Sequence, residues 1–171
     1  MQGLTSEMHS LCPNTCTMTT TNVPVAQWAT GLGTAAANLL QRNPNINYMM
    51  PSFGAMVTPV LATLKRVDPT GKIPVSSFDQ EPELIPELTA GRITADVGTS
   101  FGALAWPTID QALRIESGQK PVVEAGPVRM VTTALGNKLG LSASKSDTAN
   151  NVALFGDLVT GQPWLKLWGV R

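Results

Sequence analysis

The apolar positions of this chain alternate between a helical period and short β-type runs. Apolar residues recur every three or four positions over ranges that predict helices, at 3–11, 26–42, 55–65, 82–90 and 101–117. Runs of Val, Ile, Thr and Met between them predict strands, at 16–23, 46–50, 72–78, 93–97 and 128–133. The range 136–151 is rich in Ser, Asn, Lys and Gly and is interpreted as mostly loop. The alternation predicts an α/β fold, with a mainly parallel sheet and helices on both faces.

Composition narrows the class of protein further. The chain has 171 residues, of which 43% are hydrophobic and 14% are charged, with 12 basic and 12 acidic side chains. This length suits one domain with an ordinary core. Because phosphate binding requires a surplus of Lys and Arg, the balanced charge argues against a nucleic-acid partner. The first ten residues also lack the basic and then apolar pattern of a secretory signal.

The residue types needed for most enzyme and metal chemistry are sparse. His9 is the single histidine, and the glycines at 31 and 33 lack the third glycine of a dinucleotide fingerprint. Cys12 and Cys16 could form a disulfide in an oxidising compartment or remain free thiols in a reducing one. Together with His9 they supply three zinc ligands and no nearby fourth, so we predict no metal site. The sequence predicts a protein that is not an enzyme and needs no cofactor.

Features of a ligand-binding site are better represented. Asp79 follows one predicted strand and Asp96 lies near the end of the next, while Trp28 and Phe53 follow two others. In an open α/β sheet, ligands bind beyond the carboxyl ends of the strands. Carboxylates accept hydrogen bonds from hydroxyls, and aromatic faces stack on sugar C–H groups. These four residues would suit a neutral polyhydroxylated ligand, although Asp79 could instead cap a helix and Trp28 could belong to the core.

These stretches also carry a resemblance to a known family. The chain resembles the C-terminal half of the ribose/sugar-type periplasmic substrate-binding proteins of ABC transporters. The matching segments occur in the family's order and span most of the chain: 38–50 (NLLQRNPNINYMM), 71–79 (GKIPVSSFD), 88–96 (LTAGRITAD) and the ending Leu-Trp-Gly at 167–169. The resemblance implies two α/β lobes, joined by three hinge crossings, that close on a sugar and present it to a membrane permease.

The resemblance also assigns roles to individual residues. Asp79 falls where the family's Phe-Asp acid binds ligand hydroxyls, and Asp96 falls at a hinge-strand position where members often have a polar contact, commonly Gln. Trp28 matches an aromatic residue that stacks on the sugar ring. Many members carry an Asn-Asp pair where this chain has Ser-Phe-Gly at 52–54, so Phe53 is expected to stack instead.

The resemblance finally implies a domain plan and partners. We expect residues 1–171 to form one C-terminal lobe, with its body at 1–96 and about 127–171. Residues 97–126 would form a hinge and a helix that packs on an N-terminal lobe lying, with the signal peptide, upstream. We expect a periplasmic or extracellular protein that binds a monosaccharide or polyol, and whose exposed helix favours self-association.

Two other functions remain open at this stage. The effector-binding core of a sugar-responsive transcription repressor shares this fold and would function in the reducing cytosol. A small α/β enzyme using Cys12 or Cys16 is the other alternative, and it would require a thiol of lowered pKa.

Overall fold

The computed structural model describes residues 2–79 and 81–170. The α-helices are α1 (Gln2–Leu11), α2 (Trp28–Arg42), α3 (Val57–Val67), α4 (Ile85–Thr89), α5 (Phe101–Glu116), α6 (Thr133–Lys138), α7 (Asp147–Phe155), α8 (Asp157–Thr160) and α9 (Gln162–Leu167). The β-strands are β1 (Ser76–Phe78), β2 (Ala95–Gly98) and β3 (Arg129–Thr132). Short 3-10 turns lead directly into α2, α3 and α4, at Val25–Gln27, Gly54–Met56 and Pro82–Leu84.

The predicted α/β class is confirmed, but the sheet is small and mixed. Within the described residues, β1 pairs with β2 in parallel, and β2 pairs with β3 in antiparallel. A single parallel bridge joins Met49 to Val75 at the open edge of the sheet. The antiparallel pair arises at β3, because the chain leaves β2 at Gly98 and returns beside it in the opposite direction from Arg129.

The hydrophobic core lies between the sheet and the helices that follow its strands. It includes almost fully buried side chains from α3, α4, β3 and the segments that lead into β1, α4 and β2: Val57, Val75, Leu84, Leu88, Ile93 and Val131. No residue of β2, all four of which are described, is exposed, so both faces of this strand are covered. Ser100, Thr132 and Ser146 begin α5, α6 and α7 by accepting a hydrogen bond from a peptide N–H three residues ahead.

Two local predictions were wrong for identifiable physical reasons. The Thr-rich run at 16–23 is almost entirely exposed and pairs with no described strand, because β propensity requires a neighbouring strand or a surface to cover it. The range 136–151, which we expected to be mostly loop, contains the end of α6 and the start of α7 and is irregular only between them. The missed signal was Ser146 followed by Asp147, a capping residue and an acidic first-turn residue.

The helix α5 packs on the C-terminal helices by one side and exposes the other. Trp106 donates its indole N–H to the carbonyl of Val159, and Trp168 donates its indole N–H to the Asp110 carboxylate at 2.7 Å. The rings of Trp106 and Trp168 are in contact, with centroids 6.1 Å apart. Both tryptophans therefore serve packing. The opposite side of α5 exposes apolar side chains, Phe101, Ile109 and Ile115.

Candidate ligand-binding site

The carboxyl end of the parallel strand pair brings Asp79 and Asp96 together. Ser77 lies opposite Asp96 in the register of β1 and β2. Asp79 comes just after β1 and continues the ladder, because its peptide N–H donates to the Val97 carbonyl at 2.8 Å. Its φ of +73° is unusual for a residue other than glycine, and such strained conformations persist where the surrounding structure enforces them. They are concentrated at functional sites.

Asp96 is a buried acid without a hydrogen-bond partner among the described residues. Its side chain is 1% exposed, and neither carboxylate oxygen has a hydrogen-bond partner among the described residues. Burial, and then the nearby charge of Asp79, raise the pKa of Asp96 from 3.8 to about 6. The charge of Glu81 raises the pKa of Asp96 further. The peptide N–H of Val97 lowers this pKa, although it does not meet the geometry of a hydrogen bond to the carboxylate. The site therefore holds a carboxylate at neutral pH whose charge is uncompensated.

Glu81 is a third acid at this place that the sequence analysis did not single out. Burial raises its pKa, and the charges of Glu83 and Asp79 add to this effect, while the peptide N–H of Ala55 partly offsets it. Glu81 precedes the turn Pro82–Leu84 but makes no capping hydrogen bond there. The available signal was its position two residues after Asp79, within the same short connection between strand and helix.

Gly54 connects the acidic residues to the segment that carries Phe53. A Cβ atom placed on Gly54 would lie 2.6 Å from the Asp79 carbonyl oxygen and 2.9 Å from Cγ of Glu81. Only glycine allows so close an approach of the two segments. The residue at this position therefore sets the distance between Phe53 and the acids.

The aromatic residues Trp28 and Phe53 contact each other, and Phe53 immediately precedes Gly54, which packs against Asp79 and Glu81. Their ring centroids are 5.7 Å apart, with an angle of 35° between the ring planes. Trp28 is half-buried, and its indole N–H donates to the Val23 carbonyl at 2.8 Å. Phe53 is 44% exposed, so part of its ring is available to a ligand. Neither ring is part of the buried core.

The structure thus brings all four sequence-predicted residues into one region and adds a fifth. We call this region the acidic–aromatic site, which consists of Trp28, Phe53, Asp79, Glu81 and Asp96. Its carboxylates can accept hydrogen bonds from hydroxyl or ammonium groups. Its aromatic faces can stack on C–H groups. Which of these residues touch a ligand remains a prediction.

The two cysteines lie away from this site, in the N-terminal segment. Cys12 and Cys16 are joined by a disulfide, with their Cα atoms 5.5 Å apart. No residue of α1 in the described range 2–11 is buried. No group of three or more His, Cys, Asp or Glu side chains among residues 2–79 and 81–170 is placed to hold a metal ion. No helix of the described chain has the length and apolar character to cross a membrane.

Comparison with known proteins identifies the fold. No family model and no curated protein matches the chain. An ABC transporter solute-binding protein from Agrobacterium vitis, solved with bound D-fucose, is similar with a TM-score of 0.69 and 19% identity, over 88% of this chain and 48% of its own. The chain has the fold of type I periplasmic binding proteins.

Two further solved structures agree with this assignment. A second solute-binding protein from Agrobacterium vitis, with bound α-D-tagatopyranose, gives a TM-score of 0.68 and 17% identity, over 82% of this chain and 46% of its own. A carbohydrate transporter solute-binding protein from Agrobacterium radiobacter, in complex with D-arabinose, gives a TM-score of 0.65 and 24% identity, over 77% of this chain and 44% of its own. The chain therefore spans less than half the length of each of these proteins. All three are binding proteins rather than enzymes.

Proposed function

We propose that this chain is the C-terminal lobe of a sugar receptor for an ABC importer. The acidic–aromatic site carries the proposal, because it places carboxylates and aromatic rings together at the carboxyl end of the strands. Hydroxyl groups would bond to Asp79 and Asp96, while Trp28 and Phe53 would stack on the ring. The neighbours named above hold monosaccharides in the same fold, which supports this ligand class.

The receptor would capture its sugar and pass it to a permease. Because the chain spans less than half of each neighbour, we propose that a second lobe completes the site and closes over the ligand. The exposed apolar side of α5, with Phe101, Ile109 and Ile115, would contact that lobe. Without it, we expect weak sugar binding and self-association through α5. A chain that stays monomeric in light scattering and binds sugar at micromolar concentration would contradict this.

The disulfide between the two cysteines indicates in which cellular compartment the protein functions. A disulfide between Cys12 and Cys16 persists in an oxidising environment and is rare in the cytosol. It therefore favours a periplasmic or extracellular location, and it counts against the cytosolic repressor. It also leaves neither cysteine as a free nucleophile.

A titration of the 171-residue chain tests the proposed function. We would measure binding of neutral monosaccharides and polyols at millimolar concentration, by ligand-observed NMR and calorimetry. We expect at least one to bind and Asp79→Ala to weaken that binding by about tenfold or more, since hydrogen bonds to charged groups contribute about 1.5–3 kcal/mol. Asp157→Ala, at an exposed acid on α8, is the matched control and should leave binding unchanged. Absence of binding by every sugar, or equal binding by Asp79→Ala, would refute the proposal.

A further inference from the structure

Two other acids of the described chain, the buried Asp110 and the partly buried Glu87, have basic partners, whereas the described residues give none to Asp96 or Glu81. Asp110, which is also buried, pairs with Arg114 at 2.6 Å and accepts from Trp168. Glu87 likewise pairs with Arg92. In contrast, no Lys or Arg among the described residues lowers the pKa of Asp96 or Glu81. The nearby charges that act on these two acids are carboxylates.

A buried charge without a partner is costly in a folded protein. Asp96 is only 1% exposed, and neither of its carboxylate oxygens has a hydrogen-bond partner among the described residues. The charges of Asp79 and Glu81 are near enough to raise its pKa. A positive charge placed among these acids would remove this unfavourable energy, and a neutral hydroxyl would remove less of it. The described acids are not arranged to hold a metal ion, so an organic cation fits better.

The aromatic rings beside the acids point to the same chemistry. The rings of Trp28 and Phe53 are tilted against each other with their centroids 5.7 Å apart, and Phe53 is partly exposed to solvent. Aromatic faces attract ammonium groups through their ring quadrupole, most strongly for Trp. The site therefore combines carboxylates, aromatic faces and no nearby basic side chain from the described residues.

We propose that the natural ligand of this site is an amino sugar or amino polyol that carries a protonated amine beside its hydroxyls. This inference rests on the proposed function and narrows its ligand class. The ammonium group would sit against Asp79 and Glu81, with the aromatic faces at its side. Asp96 need not touch it, because its charge acts through a poorly screened interior.

The experiment compares matched ligands on the 171-residue chain. We would titrate D-glucosamine, D-galactosamine and D-mannosamine, each against its parent sugar and its N-acetyl derivative, which lacks the charge. In at least one set we expect the amine to bind about fivefold more tightly or better, as a hydrogen bond to a charged group exceeds a neutral one. The advantage should shrink when the salt concentration is raised from 0.02 to 0.5 M.

Asp96→Asn provides the second arm, because it removes the charge and keeps the shape of the side chain. We expect this variant to lose most of the amine's advantage, measured as the ratio of the dissociation constants of the parent sugar and the amine, whatever the change in binding of the parent sugar itself. Glu116→Gln, at an exposed acid on α5, should retain the full advantage. Parent sugars that bind as tightly as their amines in every set would overturn this inference and leave the proposed function standing. If no ligand of any set binds, this inference fails, and the proposed function fails as well only if the wider titration of monosaccharides and polyols also finds no binding.

Discussion

The uncompensated charge of Asp96 leads to a prediction about folding that does not require a ligand. Replacing Asp96 by Asn removes the charge and nearly preserves the side-chain volume. The carboxylate is buried and makes no hydrogen bond with described residues, so no favourable contact is lost. We therefore expect Asp96→Asn to stabilise the unliganded chain at neutral pH, which is an uncommon outcome for a buried substitution.

The size of the effect follows from the pKa of Asp96. It is raised from 3.8 to about 6 on folding, and one pKa unit corresponds to about 1.4 kcal/mol, giving a penalty of about 3 kcal/mol above pH 6. Because solvent near the partly exposed Asp79 screens some of this, we expect about 1–3 kcal/mol. Since the folded pKa is raised, the penalty is absent below about pH 3.8, grows between pH 3.8 and about 6, and stays at its full value at higher pH.

The assay is urea unfolding followed by tryptophan fluorescence at several pH values between 4 and 8. The difference in unfolding free energy between Asp96→Asn and the original chain should be small at pH 4 and reach its full value by pH 7. Asp157→Asn, at an exposed acid, should change stability by less than about 0.5 kcal/mol throughout. A destabilised Asp96→Asn variant at pH 7, or a gain independent of pH, would refute the electrostatic reasoning.

Three further substitutions or treatments test other parts of the account. Phe53→Ala should weaken sugar binding about three- to tenfold in calorimetry while leaving the melting temperature almost unchanged, because Phe53 is exposed. Gly54→Ala should lower the unfolding free energy by about 1–3 kcal/mol, since its Cβ would meet a carbonyl oxygen at 2.6 Å, whereas Gly3→Ala, with nothing within 4 Å, should not. Reduction of the Cys12–Cys16 disulfide should leave the thermal unfolding of the core unchanged, because α1 buries no side chain in the described range 2–11.

The fold was predictable where local pattern and tertiary packing agree. The helical period of 101–117 and the β-type runs at 72–78 and 93–97 correspond to α5, β1 and β2. Pairing partners, in contrast, depend on distant parts of the chain. The sequences of β2 and β3 do not indicate that β3 pairs with β2 in the antiparallel direction. The sequence of 16–23 likewise does not indicate that no strand of the described chain pairs with it.

The site was predictable at the residues that end strands, and less so where two segments meet. Asp79 and Asp96 were identified because parallel strands bring their carboxyl ends to one edge of the sheet. The role of Gly54 depends on a close approach to Asp79 that no local pattern indicates. Glu81 was missed because an acid ahead of a helix is most often a solvated first-turn residue.

The most direct test of the central claim is to map where a sugar binds, by two-dimensional NMR of the 15N-labelled 171-residue chain. We predict that the best-binding monosaccharide from the titrations shifts the indole N–H of Trp28 and the peptide N–H signals of Asp79 and Asp96. The indole signals of Trp106 and Trp168 serve as internal controls, because both donate to groups in the packing of α5. Shifts centred on these two tryptophans, or none at any monosaccharide concentration in the millimolar range, would contradict the assignment of this chain as a sugar-binding lobe.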